Sequence, residues 1–180
     1  QSFQEHGYVI TQQGLFTGQT GMYTYLDTGK DLGVVIELLE HFGGSPAIDT
    51  PPMPADRGLG TDRIMQVGII VRDIDQTVRR FAEVLGIEPY SQQQTLGYDV
   101  TKTVYNGLPT GATAKLAFFN TGQVHIELIE PDEQPSVWRE YLDRHGDGAQ
   151  HIALVVPDTQ RAVEYLAGFG ITVAQQGLYS

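Results

Sequence analysis

The chain is 180 residues long, 41% hydrophobic and 18% charged, which describes a folded domain of ordinary size and excludes a disordered chain. Eleven basic residues against 22 acidic ones leave a formal charge of −11, and this excludes nucleic acid and anionic membrane as main partners. With no cysteine, disulfides, thiolate nucleophiles and Cys-type zinc sites are excluded, so any metal must be held by His, Gln, Asp and Glu.

No apolar run reaches the roughly 20 residues that span a bilayer. No secretory signal is visible, and a cytoplasmic location is the expectation.

Taken in chain order, GYVITQQGLFT (residues 7–17), GMYTYLDT and GVVIELLE read as strands, being rich in β-branched and aromatic residues. Residues 43–62, GGSPAIDTPPMPADRGLGTD, form a Gly- and Pro-rich linker with no sustained period. MQVGIIV (residues 65–71) is a strand. RDIDQTVRRFAEVLG is a helix capped by Asp73 or Asp75, with Val78, Phe81, Ala82 and Leu85 on its apolar stripe and Gly86 at its end. TLGYDVTKTVYNG is expected to be a strand and turn. KLAFFNTGQVHIELIEP is a strand pair turning at Asn120-Thr121-Gly122 and stopped by Pro131. SVWREYLDRHG is a connecting helix that Trp138 anchors, and GDG at residues 146–148 is a turn. HIALVVPDTQRAVEYLAGFG then repeats the strand–Asp–helix–Gly grammar, and ITVAQQG starts another strand.

GYVITQQGLFT resembles GITVAQQGLYS at a constant offset of 163 (170 − 7). A repeat at domain-sized spacing means tandem copies of one domain. The expected architecture is therefore α+β, built of paired βαβββ modules in permuted or domain-swapped order. Residues 1–42 are the last strands of a module, 43–62 the linker, and 63–180 one module plus the first part of a second. The N-terminal piece belongs to a preceding copy or folds back or swaps between chains, and an unpaired strand edge favours the latter.

Strand side chains alternate between faces. Opposite the helix-facing residues, MQVGIIV presents Gln66, VHIELI presents His125 and Glu127, HIALVV presents His151, and VVIELL presents Glu37. A strand Glu is ordinarily solvated, and a lone strand His is ordinarily structural. The argument rests on the set, since an imidazole with hard oxygen donors suits Zn²⁺, Ni²⁺, Co²⁺, Mn²⁺ or Fe²⁺. Tyr23 and Tyr25 alternate on their strand and either line the site or pack. Arg79 and Arg80 read as a solvated helix face.

The QVGIIVRDID opening, the VHIELIEP strand, the GAQHIALVV restart and the GVVIELLE strand resemble the vicinal-oxygen-chelate superfamily. Its members include glyoxalase I, methylmalonyl-CoA epimerase, extradiol dioxygenases and bleomycin-resistance proteins. The resemblance implies a divalent metal held by Gln66, Glu127, His151 and Glu37 in a cup between modules. The ligand set resembles zinc-type glyoxalase I, whereas the VHIELIEP to HIALVV stretch looks more like methylmalonyl-CoA epimerase, where a His is usual in place of Gln66. The implied activity is isomerase or lyase chemistry by proton transfer next to a carbonyl of a small oxygenated or thioester substrate. Glu37 and Glu127 are the implied bases, and His125, Tyr23 and Tyr25 candidate substrate contacts. A non-catalytic binding or resistance protein and an iron-dependent ring-cleaving dioxygenase are the rival readings. The expected assembly is a homodimer, with exchange of the N-terminal segment as one route to it.

Overall fold

The computed structural model describes residues 7–43 and 58–178, so most of the expected linker lies outside the described residues. The N-terminal segment forms β1 (Ile10–Leu15), β2 (Gly21–Leu26), α1 (Gly29–Leu32) and β3 (Ile36–His41). The three strands make a small antiparallel sheet in the order β1-β2-β3. Buried Thr28 clips α1 to β3: its hydroxyl donates to the Val34 carbonyl at 2.7 Å and accepts from the Ile36 N–H at 3.0 Å.

The next elements are β4 (Ile64–Ile70), α2 (Ile74–Leu85), β5 (Ser91–Gln94), α3 (Tyr98–Thr101), β6 (Val104–Tyr105) and β7 (Leu108–Pro109). They are followed by β8 (Ala114–Asn120), β9 (His125–Pro131), α4 (Val137–His145), β10 (Gly148–Leu154), α5 (Thr159–Ala167) and β11 (Gln175–Gln176). A five-stranded sheet runs β10-β4-β9-β8-β5. Within it, β4, α2, β5, β8 and β9 are one complete βαβββ unit, in which β9 returns parallel to β4. β10 restarts the pattern antiparallel to β4. The short strands β11, β6 and β7 form a third sheet.

The helices begin where their caps dictate. The Asp73 carboxylate accepts from the Gln76 N–H at 2.9 Å, the Ser136 hydroxyl from Arg139 at 3.0 Å and the Asp158 carboxylate from Arg161 at 3.0 Å. On one face of the five-stranded sheet, α2 packs Ile74 and Phe81 onto Ile69, Val71, Ala117, Phe119 and Leu128. On the opposite face, Leu142, Trp138 and Tyr141 of α4 cover Ile70, Ala114, Leu116 and Ile129. Because α4 covers only one end of that face, its other end is left open for side chains with other roles.

The N-terminal segment is tied into the α2 core. Leu32 is fully buried in it, and Val34 and Ile36 pack alongside. Gly33 turns the chain there at φ 74°, and an added Cβ would stand 2.8 Å from Ile69 Cγ2, so a side chain at this position is both strained and crowded. Asp31 extends the junction by accepting from Arg80 at 2.8 Å and from the Tyr8 hydroxyl at 3.0 Å. Arg80 is therefore not a freely solvated side chain, as its helix position suggested, whereas Arg79 is exposed.

Two strand expectations are corrected. TLGYDVTKTVYNG is strand and turn only at its end, where Val104 onward forms the β6–β7 hairpin, whereas residues 98–101 make a helical turn closed by Lys102 at φ 51°. The strand of the βαβββ unit is instead β5, SQQQ, a polar edge strand with no alternation of apolar residues to mark it. ITVAQQG yields only Gln175 and Gln176 as strand, paired with β6, while Ile171 and Val173 are exposed.

Candidate functional site

Three neighbouring strands assemble the open face. In register, Gln66 lies beside His125 and Gly68 beside Glu127 across β4 and β9, while His151 of β10 lies opposite Gly68. Phe118 of β8 stands opposite Glu127 on the far side. The alternation of β-strands thus brings Gln66, Glu127 and His151 together, with His125 one step along β9. The Gln66 side-chain amide donates to Glu127 Oε2, and His151 Nε2 stands 3.6 Å from the same oxygen. Glu127 is 9% exposed, a position a carboxylate takes only with polar or ionic partners.

Two residues that sequence reading passed over hold this arrangement. A methyl group added at Gly68 would fall inside the His151 ring, so glycine there lets the imidazole lie against the β4 backbone. The signal was a single glycine inside a β-branched run, which marks close approach of another group. Gln150 is the second: its carbonyl Oε1 lies 2.6 Å from His151 Nδ1. This contact orients the imidazole so that Nε2 faces Glu127. Arg72 Nε also donates to Asp147 at 3.1 Å, pinning the GDG turn at the start of β10 to the end of β4.

An imidazole, a carboxylate and a side-chain amide gathered around Glu127 Oε2 are donor types that suit a divalent cation, with the Gln66 amide turning its NH₂ to the carboxylate and its Oε1 as the atom that could ligate. Two of the three are His or Glu, and no group of three or more His, Cys, Asp or Glu that could hold a metal exists among the described residues. Glu37 is not part of the cluster. It lies on β3, which among the described residues pairs with β2 alone, in register with Tyr25. The Tyr25 hydroxyl hydrogen-bonds to Glu37, and this holds its phenol above the usual pKa. Tyr23 packs on Tyr25 at 5.8 Å and on Phe16 at 6.3 Å in the same small sheet, so these two tyrosines do not line the open face. Among the described residues, no helix is long and apolar enough to cross a membrane.

Comparison with known proteins adds three findings. The sequence profile of the glyoxalase/bleomycin resistance protein/dioxygenase superfamily matches residues 65–180. A 2-epi-5-epi-valiolone epimerase from Actinomyces sp. is 36% identical over 118 residues, which are 61% of this chain and 61% of that protein. Among solved structures, methylmalonyl-CoA epimerase of Mycobacterium tuberculosis is 24% identical with a TM-score of 0.45, covering 60% of this chain and 64% of that one. A Streptomyces coelicolor methylmalonyl-CoA epimerase in complex with 2-nitronate-propionyl-CoA is 21% identical with a TM-score of 0.46, covering 62% and 74%. The chain thus spans about three fifths of the length of the curated relative it matches.

Proposed function

Because the chain belongs to the glyoxalase/bleomycin resistance protein/dioxygenase superfamily, we propose that it is an epimerase, moving a proton on the carbon next to a carbonyl with Glu127 as the base beside a divalent cation. The observation that carries the reading is the convergence of Gln66, Glu127 and His151 on the open sheet face. The name of the Actinomyces relative supports a valiolone-type ketone as substrate.

Gln66, Glu127 and His151 would hold the cation. When bound, it would draw electron density from the substrate carbonyl and so ease departure of the neighbouring proton. The chain's own groups do the rest. The Gln66 amide NH₂ donates to Glu127 Oε2 and so fixes the carboxylate where it can accept the proton. Phe118, opposite Glu127 on β8, sets an apolar ring beside the carboxylate.

Inversion requires the proton to return on the opposite face of the carbon, so a second acid–base group must stand across the substrate. Glu37 is our candidate. VVIELLE repeats VHIELIE of β9, and among the described residues β3 and β10 are each the edge strand of their sheet. Pairing β3 of a second copy parallel to β10, as β9 pairs with β4, would bring Glu37 beside Ala153 and across from Glu127. Such an exchange closes both edges and forms a homodimer.

The test follows 2-epi-5-epi-valiolone in D₂O by proton NMR. Wild type is expected to exchange the proton next to the ketone and to invert the centre. Glu127→Gln should lose both, whereas Glu37→Gln should keep exchange and lose inversion. No exchange by wild type would overturn the epimerase reading, and inversion by Glu37→Gln would overturn the second base.

A further inference from the structure

Tyr90 is 58% exposed, yet it is held at three points. Its N–H donates to the Phe118 carbonyl at 2.8 Å, fixing the residue at the start of β5. Its ring packs on Phe118 at 6.2 Å and meets the His125 ring edge-on at 5.5 Å. Its hydroxyl lies 3.2 Å from His125 Nδ1. A large exposed aromatic side chain with a fixed ring plane is a surface held ready for something flat and partly apolar.

The pair has a definite chemistry whichever way its shared proton lies. If the phenol donates to Nδ1, the imidazole keeps Nε2–H to donate outward. If Nδ1–H donates to the phenol oxygen, the phenol O–H is free instead. In both cases one donor remains for an acceptor oxygen. His125 is two residues from Glu127 on the same face of β9, which sets the pair about 6.5 Å from the carboxylate. That is the span of a six-membered ring with its substituents.

We infer that Tyr90 and His125 form the recognition end of the site, selecting a hydroxylated ring ketone over a short or acyclic one. The inference rests on the epimerase reading above. With the reacting carbon at Glu127, the far side of the ring places a hydroxyl oxygen at the Tyr90–His125 donor, and the ring's C–H face lies against Tyr90 and Phe118. Both residues are positioning groups here: they touch the substrate away from the bond that breaks. A short ketone such as dihydroxyacetone reaches Glu127 but not the pair.

The experiment measures solvent-deuterium incorporation into 2-epi-5-epi-valiolone and into dihydroxyacetone by wild type, Tyr90→Phe and His125→Gln, with bound metal and melting temperature recorded for each. Each substitution is expected to lower the ratio of kcat/KM for the ring ketone to that for the short ketone about tenfold, the worth of one hydrogen bond. The loss should fall on KM rather than kcat, with metal content unchanged. Equal losses on both ketones, or an unchanged ratio in both variants, would overturn the inference and leave the epimerase reading standing. Exchange into the short ketone alone by wild type would do the same. No exchange into either ketone by wild type would overturn the epimerase reading and the recognition end with it.

Discussion

The molecule contains two starts of the same structural phrase, and they end differently. In the first, β4 leads through Asp73 and α2 to β5, β8 and β9, and β9 closes on β4. In the second, β10 leads through Asp158 to α5, and among the described residues β10 stands at the edge of its sheet. The consequence is visible in burial: Ile69 of β4 and Leu128 of β9 are sealed, whereas Ile152 of β10 and Phe169 after α5 are 56% and 69% exposed. The same contrast separates GYVITQQGLFT from GITVAQQGLYS. The first makes β1 because β2 is there to pair with it, while in the second, among the described residues, Gln175 and Gln176 alone are strand. A strand-forming pattern becomes a strand only where a neighbour takes its hydrogen bonds.

The contrast also divides the site. Gln66 and Glu127 come from the closed unit and His151 from the second start, while Glu37 lies on β3, outside that cluster. Substitutions on the two sides should therefore differ in kind. The largest effect is expected at Glu127→Gln, which should lower proton exchange by about 10²–10⁴-fold, with a fold unchanged by circular dichroism. Retained exchange would remove Glu127 from the chemistry.

Next comes Gly68→Ala, which intrudes on the His151 ring from the closed unit. It should weaken metal binding by about 10–100-fold, measured by competition with a chelator. An unchanged affinity would mean that His151 needs no such support. Leu32→Ala should destabilise the fold by about 2–5 kcal/mol in urea titration, because Leu32 joins the N-terminal segment to the α2 core. Ile152→Ala, exposed on β10 in the single chain, should cost more than about 0.5 kcal/mol because a second copy covers that strand, and a cost of that size or less would contradict the exchange.

The smallest effect concerns pH. The Arg80 guanidinium, followed by the Tyr8 hydroxyl, holds the Asp31 carboxyl below the usual range. A depressed carboxylate stabilises the folded state above its unfolded pKa, and the contribution disappears as pH falls through its folded value. Docking of the N-terminal segment should therefore weaken below about pH 4 and not between pH 5 and 8. Asp31→Asn should remove that acid dependence, read from hydrogen exchange of β1 to β3.

Much of this was legible in the chain. The cap at Asp73, the stripe through Phe81 and the helix end at Gly86 gave α2 directly, and alternation in VHIELIEP placed Ile126 and Leu128 against it and Glu127 opposite. The same alternation brought Gln66 and His151 to one face. What local pattern does not carry is pairing between distant elements. β5 is polar because it is an edge, so periodicity missed it, and nothing in the residues around Tyr90 marks the contact it makes with His125. The position of Glu37 depends on which strand β3 adopts as neighbour, and local pattern does not determine that either.

The central claim is that Gln66, Glu127 and His151 hold one divalent cation. Elemental analysis of chelator-free protein, equilibrated with metal and desalted, tests it most directly when wild type is compared with Glu127→Ala and His151→Ala. The account predicts about one divalent ion per chain in wild type and loss of most of it in each variant. No bound ion in wild type, or the same content in both variants, would contradict it.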